Sequence, residues 1–239
     1  MRLATLLAIA LALPAFATAQ QALPGGTVLP VTLDHGINAA RARTGQIIRA
    51  RVEQTIPGTP VKRHSHVLGQ VVSAMRLPNG TQRVVIRFTS VEAHGRQIPL
   101  QVHLRAIASF MKVADALTPQ DQADRSEPPE VNTFRQIGGE MVYRGGGPVA
   151  AGDLTVGKPV PYGVLVTPRS NKPCRGVVGA TQRPQAFWVF SSDACGVYGI
   201  PDLRIEHAGR SSSAITLASD HGKLKLPAGT ALLLRTSAP

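Results

Sequence analysis

Several features are scarce or missing in this sequence, and their absence narrows its class. Aromatic residues make up only 4% of the chain, so a core must rest on Val, Ile, Leu and Ala. The motifs Gly-x-Ser-x-Gly and His-Glu-x-x-His do not occur, and the glycine clusters lack the Lys-Ser/Thr of a phosphate-binding P-loop. The sequence therefore favours a non-enzymatic protein and predicts no cofactor, although a triad built from scattered residues stays open.

Acidic residues are also scarce. The chain has 14 Asp and Glu against 26 Lys and Arg, a formal net charge of +12. Residues 20–110 carry eleven basic and three acidic residues, net +8, so the positive field belongs mainly to the first half. Such a field favours an anionic cell-envelope polymer, a membrane surface or an acidic protein as partner. Nucleic acid is the weaker interpretation, because the N-terminus predicts export.

The N-terminus has the pattern of a secretory signal peptide over residues 1–19. Arg2 precedes a predominantly apolar run, Leu3–Leu13, and a small-x-small cleavage site follows, ending at Ala19. A membrane anchor is the alternative, but Pro14 stops the run well short of the roughly 20 residues that a spanning helix needs. We predict cleavage, export to the periplasm or cell envelope, or secretion, and no transmembrane helix in the mature chain.

Two cysteines remain in the mature chain, Cys174 and Cys195. A single pair in an exported protein is usually bonded. The bond would close a loop of about 20 residues and stabilise the fold by roughly 3 kcal/mol in the chain-entropy account. A reactive or metal-bound thiol is the alternative, and the disulfide is the favoured interpretation.

Alternation of apolar and polar residues predicts an all-β fold with a barrel- or sandwich-like core. Five strands are predicted in the first half, at Thr27–Leu33, Gln46–Val52, Val67–Met75, Gln82–Phe88 and residues 98–104. The Asn79-Gly80 pair indicates a hairpin between the third and fourth strands. Pro30 lacks a backbone donor, which suggests that the first strand lies at an edge or an end of the sheet. No helix is predicted in this half.

The last predicted strand, Thr230–Thr236, is apolar on both faces. The segment that opens it, residues 226–230, repeats the Leu-Pro-x-Gly-Thr pattern of residues 23–27. A strand that is apolar on both sides belongs inside a fold, and β-folds often close by pairing the last strand with an early one. We therefore predict that this strand pairs with the strands of residues 27–105 and closes the core.

The chain divides into three parts after the signal peptide. Residues 20–110 form a basic barrel-like half, and residues 111–173 are a Gly/Pro-rich excursion or satellite lobe. Residues 174–239 contain the predicted disulfide and complete the fold. Three strands are predicted there before the last one, at Ala186–Phe190, Asp202–Glu206 and Ala214–Ala218.

The first half contains the short motifs Gly26-Thr27-Val28 and Gly45-Gln46 and the run Ser65-His66-Val67-Leu68-Gly69-Gln70-Val71. In these motifs it resembles the β-barrel domain of conjugal-transfer and type IV secretion core-complex proteins. The resemblance implies a barrel-like fold and an envelope location. It does not carry over a pore, because the family's membrane-crossing helical hairpin has no counterpart here. The second half, around residues 187–196, resembles exported bacterial proteins without an assigned function.

Outward-pointing arginines are the main candidates for anion binding, because guanidinium groups bind carboxylate and phosphate in a bidentate manner. These candidates are Arg49, Arg51, Arg83, Arg87 and Arg105. The alternative is an ordinary solvated face that keeps sheet edges from associating.

Two histidines, His64 and His66, have a spacing that a metal site can use, since both would lie on one face of a strand. His94 or His103 would supply a third ligand. Basic residues next to them disfavour a cation, so we interpret them as surface residues and predict no metal.

The sequence therefore favours a non-enzymatic exported envelope protein, a binding or structural module with a basic, arginine-rich face for anionic envelope components. Two alternatives stay open. One is an envelope hydrolase with its site in the glycine-rich region. The other is an accessory component of a secretion or conjugation apparatus.

Overall fold

The computed structural model describes ten segments of the chain, and the predicted signal peptide lies outside them. The segments are residues 22–118, 132–138, 141–144, 149–151, 154–157, 164–165, 187–191, 194–206, 213–220 and 222–237. They contain seventeen strands and one helix. The strands are β1 Val28–Leu33, β2 Ile37–Asn38, β3 Ile47–Val52, β4 His66–Arg76, β5 Gln82–Ala93, β6 Arg96–Pro99, β7 Val102–Ala108, β8 Asn132–Arg135, β9 Met141–Arg144, β10 Val149–Ala151, β11 Leu154–Gly157, β12 Val164–Leu165, β13 Gly196–Tyr198, β14 Leu203–Glu206, β15 Ala214–Ser219, β16 Lys225–Leu226 and β17 Ala231–Thr236, and the helix is α1 Phe110–Leu117.

One large sheet dominates the fold. Its strands follow the order β13-β7-β17-β1-β3-β4-β5-β15-β14, and β6 pairs with β5. The end strands β13 and β14 contact each other, so the sheet is nearly closed and barrel-shaped. The prediction of an all-β, barrel-like core is confirmed. Three smaller sheets are formed by β8, β9 and β12, by β10 and β11, and by β2 and β16.

The last strand pairs with strands of the first half, as predicted. β17 lies between β1 and β7 and is antiparallel to both, with Leu232 opposite Val31 on one side and Ile107 on the other. β13, β14 and β15 join the same sheet. The last part of the chain therefore shares one sheet with the first half.

The prediction that Pro30 marks an edge strand is wrong. β1 has a partner on each side, β17 and β3. Pro30 lies opposite the end of β3, which finishes at Val52, and its carbonyl accepts a hydrogen bond from the Glu53 N–H at 2.9 Å. The missing proline donor therefore affects only the last rung of the β1–β3 ladder, so an interior strand tolerates it.

Two apolar cores cover the two faces of β1 and β17. The inner core fills the barrel and includes Leu29, Val31 and Leu232. A second core, here called the outer cluster, packs on the outside of β1, β7 and β17. Its buried residues are Val28, Ala106, Ala108, Val113, Ala116, Ile137, Phe187, Trp188, Val189, Phe190, Ala194, Ala231 and Leu233. This second cover explains why β17 is apolar on both faces.

Two elements of the outer cluster differ from the sequence prediction. Helix α1 was not predicted: it is only eight residues long, and Ser109 caps it by accepting a hydrogen bond from the Lys112 N–H at 3.3 Å. The predicted strand Ala186–Phe190 is wrong over the described residues 187–190. They form a tight turn closed by reciprocal Phe187–Phe190 hydrogen bonds of 2.9 Å. An apolar run this short fits a strand or a buried turn equally well, and packing decides between them.

Some predictions fall beyond the described residues. Cys174 lies outside them, so the structure does not describe the pair, and the Cys174–Cys195 disulfide stays a prediction. Cys195 is partly buried immediately before β13. Most of the Gly/Pro-rich excursion is likewise outside, apart from the end of α1 and the short segments that include β8 to β12. None of the described helical residues forms a helix long and apolar enough to span a membrane.

Candidate ligand-binding surface

A row of polar residues crosses five neighbouring strands on the outside of the barrel. Pairing registers place these residues side by side on β1, β3, β4, β5 and β6. They are Thr32, Arg51, His66, Glu92 and Gln97. Each alternates with inward residues that are buried in the inner core. Residues that are 65 positions apart in sequence thus share one surface, and a cavity lies at each end of the row.

The first cavity, here called the groove, lies between β1, the loop after β3, α1 and the Trp188 turn. Its volume is about 670 Å³. Phe110, Val113, Leu117 and Trp188 form an apolar side. Phe110 is 48% exposed and Leu117 is 42% exposed, unusual values for large apolar residues. The opposite side is polar and includes Thr32, Asp34, Arg51, Glu53 and Arg63.

A buried carboxylate forms part of the polar side of the groove. Glu53 is only 4% exposed. Its Oε1 accepts hydrogen bonds from Thr32 Oγ1 and from Arg51 Nε, the latter at 3.0 Å. Charge-assisted hydrogen bonds of this kind compensate the desolvation of a buried carboxylate. Glu53 and Arg51 therefore hold each other in place.

The second cavity, here called the histidine cavity, lies at the other end of the row and has a volume of about 510 Å³. The turn before β4, the first residue of β4 and the β5–β6 hairpin surround it. Its lining residues are Arg63, His64, Ser65, His66, Glu92, His94, Gly95, Arg96 and Gln97. Five of these nine residues are arginine or histidine, and one is acidic.

The two cavities are adjacent. Arg63 lines both of them. Asp34, which lines the groove, places its Oδ2 3.3 Å from the Nδ1 of His66, which lines the histidine cavity. His66 Nδ1 is buried and this contact is not aligned as a hydrogen bond, so we treat it as a close polar contact only.

Backbone strain is concentrated at these cavities. Four described residues other than glycine have positive φ angles: His64 at 71°, His94 at 51°, Trp188 at 54° and Asp202 at 58°. Two of them line the histidine cavity and Trp188 lines the groove. Such a conformation costs about 1–3 kcal/mol in a residue with a side chain, and it is often retained at functional sites.

The five predicted arginines do not form one open face. Arg49 lies 3.5 Å from Asp34, Arg51 is held by Glu53, and Arg83 lies 2.9 Å from Glu206. Arg105 donates to the carbonyl of Ala194 at 3.0 Å, beside the outer cluster. Arg87 is exposed on β5. Of the five, the structure brings only Arg51 to the cavities.

The histidines come together differently from the prediction. His64 and His66 line the same cavity, but His64 lies in the turn before β4, so strand alternation does not relate them. His94 joins them and His103 does not. No group of three or more His, Cys, Asp or Glu residues in the described part of the chain is placed to hold a metal ion.

Sequence reasoning missed Arg63, Glu92, Arg96 and Gln97 as lining residues. His94-Gly95 is a sequence typical of a turn, but nothing local to it indicates that it lies beside the turn at residues 62–65. The β4–β5 register, with His66 opposite Glu92, creates that proximity.

Comparison with known proteins adds no name to this surface. The chain matches no family model, and neither curated proteins nor solved structures yield a similar protein. The resemblance of the first half to secretion core-complex barrels therefore stays a prediction, and the function must be argued from the residues themselves.

Proposed function

We propose that this protein is a non-enzymatic, exported module of the bacterial envelope that binds anionic envelope components through its basic surface. The observation that supports this proposal is the pattern of ion pairs. Internal cations already engage most of the described acidic side chains, while many exposed basic side chains have no acidic partner among the described residues. An anionic polymer or membrane surface would complement that excess charge.

The acidic side chains are engaged on the side of the barrel that carries the polar row and on the β14–β15 hairpin. Asp34 contacts Arg49 and Glu53 binds Arg51. Asp220 accepts hydrogen bonds of 2.8 and 2.6 Å from Arg204, and this hydrogen bonding and charge raise the pKa of the Arg204 guanidinium above its ordinary value. These acids therefore do little to offset the remaining positive charge.

Several exposed basic side chains form no ion pair with a described acid. They are Arg41, Arg43, Lys62, Arg76, Arg87, Arg96, Lys223 and Lys225. They lie on β4, β5, β6 and β16 and in the loops between strands, so the positive charge is not confined to one strand face.

A binding role is also favoured over hydrolysis. The buried carboxylate of the groove, Glu53, is held by Arg51 and Thr32, which suits a structural role better than proton transfer. Export rests on the predicted signal peptide. An envelope location would expose the basic surface to lipid headgroups and anionic polymers.

Co-sedimentation with lipid vesicles tests this proposal. The protein should sediment with vesicles that contain an anionic lipid at low salt, and should be released at about 1 M salt, where the Debye length is about 3 Å. Neutral vesicles serve as the control. Replacing Arg41, Arg43, Arg76 and Arg87 together by Gln should weaken binding. Absence of binding at low salt, or binding that salt does not change, would reject the proposal.

A further inference from the structure

We propose that the histidine cavity binds a phosphate group. This inference rests on the proposed function, since it names the chemical class and the site of one anionic ligand. It is carried by three observations that are independent of the overall charge: the cations that line one cavity, the strain at two of its histidines, and the scarcity of acid among its lining residues.

Cationic and hydrogen-bonding groups reach the histidine cavity from three directions. His64 and Arg63 come from the turn before β4, His66 begins β4, and His94 and Arg96 come from the β5–β6 hairpin. Glu92 is the only acidic residue among the described residues that line it. With neutral histidines the lining groups carry +1, and with three charged histidines they carry +4.

This arrangement fits a tetrahedral oxyanion better than its alternatives. A phosphate group presents three terminal oxygens pointing in different directions, whereas a carboxylate presents two oxygens in one plane. A metal cation is disfavoured by the two arginines, and the described side chains include no set placed to ligate one. A volume of about 510 Å³ exceeds that of phosphate alone, so the group can be attached to a larger body.

The strained histidines indicate that imidazole is needed at these positions. The β5–β6 turn places both His94 and Gly95 at positive φ, 51° and 72°. Asn or Gly at the His94 position would satisfy such a turn at lower conformational cost. The same holds for His64, whose φ is 71°. Where a residue of lower conformational cost would fit the same backbone, the presence of a strained histidine points to a function for its side chain.

The histidines also predict a pH dependence. Histidine gains positive charge between about pH 8 and about pH 5, so anion binding should strengthen as pH falls. The charged groups that face these histidines are Asp34, Arg51, Lys62, Arg63, Glu92 and Arg96.

The test uses the whole protein with inorganic phosphate as probe, and titration calorimetry measures the affinity. Replacing His64 and His94 together by Asn removes both imidazoles while suiting the positive φ angles. We expect this double variant, and separately Arg96→Gln, to lose at least about ten-fold in phosphate affinity. The double variant should unfold at the same temperature as the unmodified protein or higher. Lys112→Gln is the matched control and should bind phosphate normally, because Lys112 is an exposed cation on α1 that pairs with Asp115 and does not line the cavity.

A pH series uses sulfate, whose own charge stays constant over the range, and the unmodified protein should bind it more tightly at about pH 5 than at about pH 8. The double variant should lose that difference. A pH-independent affinity in the unmodified protein would overturn the inference.

Two further arms separate the source of the phosphate group. Binding of inorganic phosphate indicates a small soluble ligand. Binding only to vesicles that contain phosphatidic acid, with the same loss in the variants, indicates a lipid headgroup. Failure of the unmodified protein to bind either probe would overturn the inference. So would variants that bind as well as the unmodified protein. If those variants keep salt-dependent binding to anionic vesicles, the proposed function stands while the histidine cavity is not its site.

Discussion

Leu232 and Leu233 are adjacent in β17 and point to opposite faces of the sheet, so replacing each by Ala tests whether both faces are covered. Leu232 lies in the inner core and Leu233 in the outer cluster, and both are 0% exposed. Truncating a fully buried leucine removes its transfer free energy and leaves a cavity, at a cost of about 3–5 kcal/mol. We therefore expect both variants to be destabilised by similar amounts.

If the outside of the barrel faced water at β17, Leu233→Ala would lower the free energy of unfolding much less than Leu232→Ala would. Ile47 on β3 is the matched control, because it points outward and is 72% exposed. Ile47→Ala should change the free energy of unfolding by less than about 0.5 kcal/mol. Urea unfolding followed by circular dichroism measures all three variants. For a chain of this size, a loss of 3 kcal/mol corresponds to a fall of about 6–12 °C in the melting temperature.

The result for Leu233→Ala decides whether the outer cluster covers the outer face of β17. If it behaves like Ile47→Ala while Leu232→Ala loses several kcal/mol, the outer cluster does not cover β17 and the two-core architecture is refuted. If both leucine variants unfold as the unmodified protein does, β17 does not close the barrel at all.

Three further outcomes are expected. Deleting the chain from Gly229 onward removes β17 from between β1 and β7 and should lower and broaden the thermal transition. An unchanged transition would show that the two parts of the chain fold independently. Gly69→Ala should cost at least about 2 kcal/mol, because a Cβ there would overlap the backbone carbonyl oxygen of Arg87 and also the Phe88 side chain across the β4–β5 ladder; an unchanged melting temperature would contradict this register. Thiol titration of the denatured protein without reductant should find neither Cys174 nor Cys195 reactive, and two reactive thiols would disprove the disulfide.

Local alternation was sufficient to predict most of the large strands. In β3, Ile48, Ala50 and Val52 are buried and Arg49 and Arg51 are exposed, as their period of two indicates. The two-sided apolar character of β17 correctly predicted its interior position, because such a strand has no face to offer to water.

The candidate site was only partly predictable. His64 and His66 were identified from their spacing, and Arg51 from its outward position. Arg63 and Arg96, which line the histidine cavity with them, carry no local signal of that proximity. Helix α1 and the Trp188 turn were missed for a related reason: each is short, and its conformation is set by burial in the outer cluster.

By itself, the sequence determined the all-β class, most strand positions in the first half and the pairing of the last strand, because each depends on a periodic pattern within a few residues. The prediction of one strand over residues 98–104 is wrong, because that range is divided between β6, which ends at Pro99, and β7, which begins at Val102. Only the tertiary structure decided which strands are neighbours and in what register. β1 tolerates Pro30 inside the sheet because the neighbouring strand β3 ends opposite it. The row from Thr32 to Gln97 exists because four registers align, and registers depend on contacts between segments that are distant in sequence.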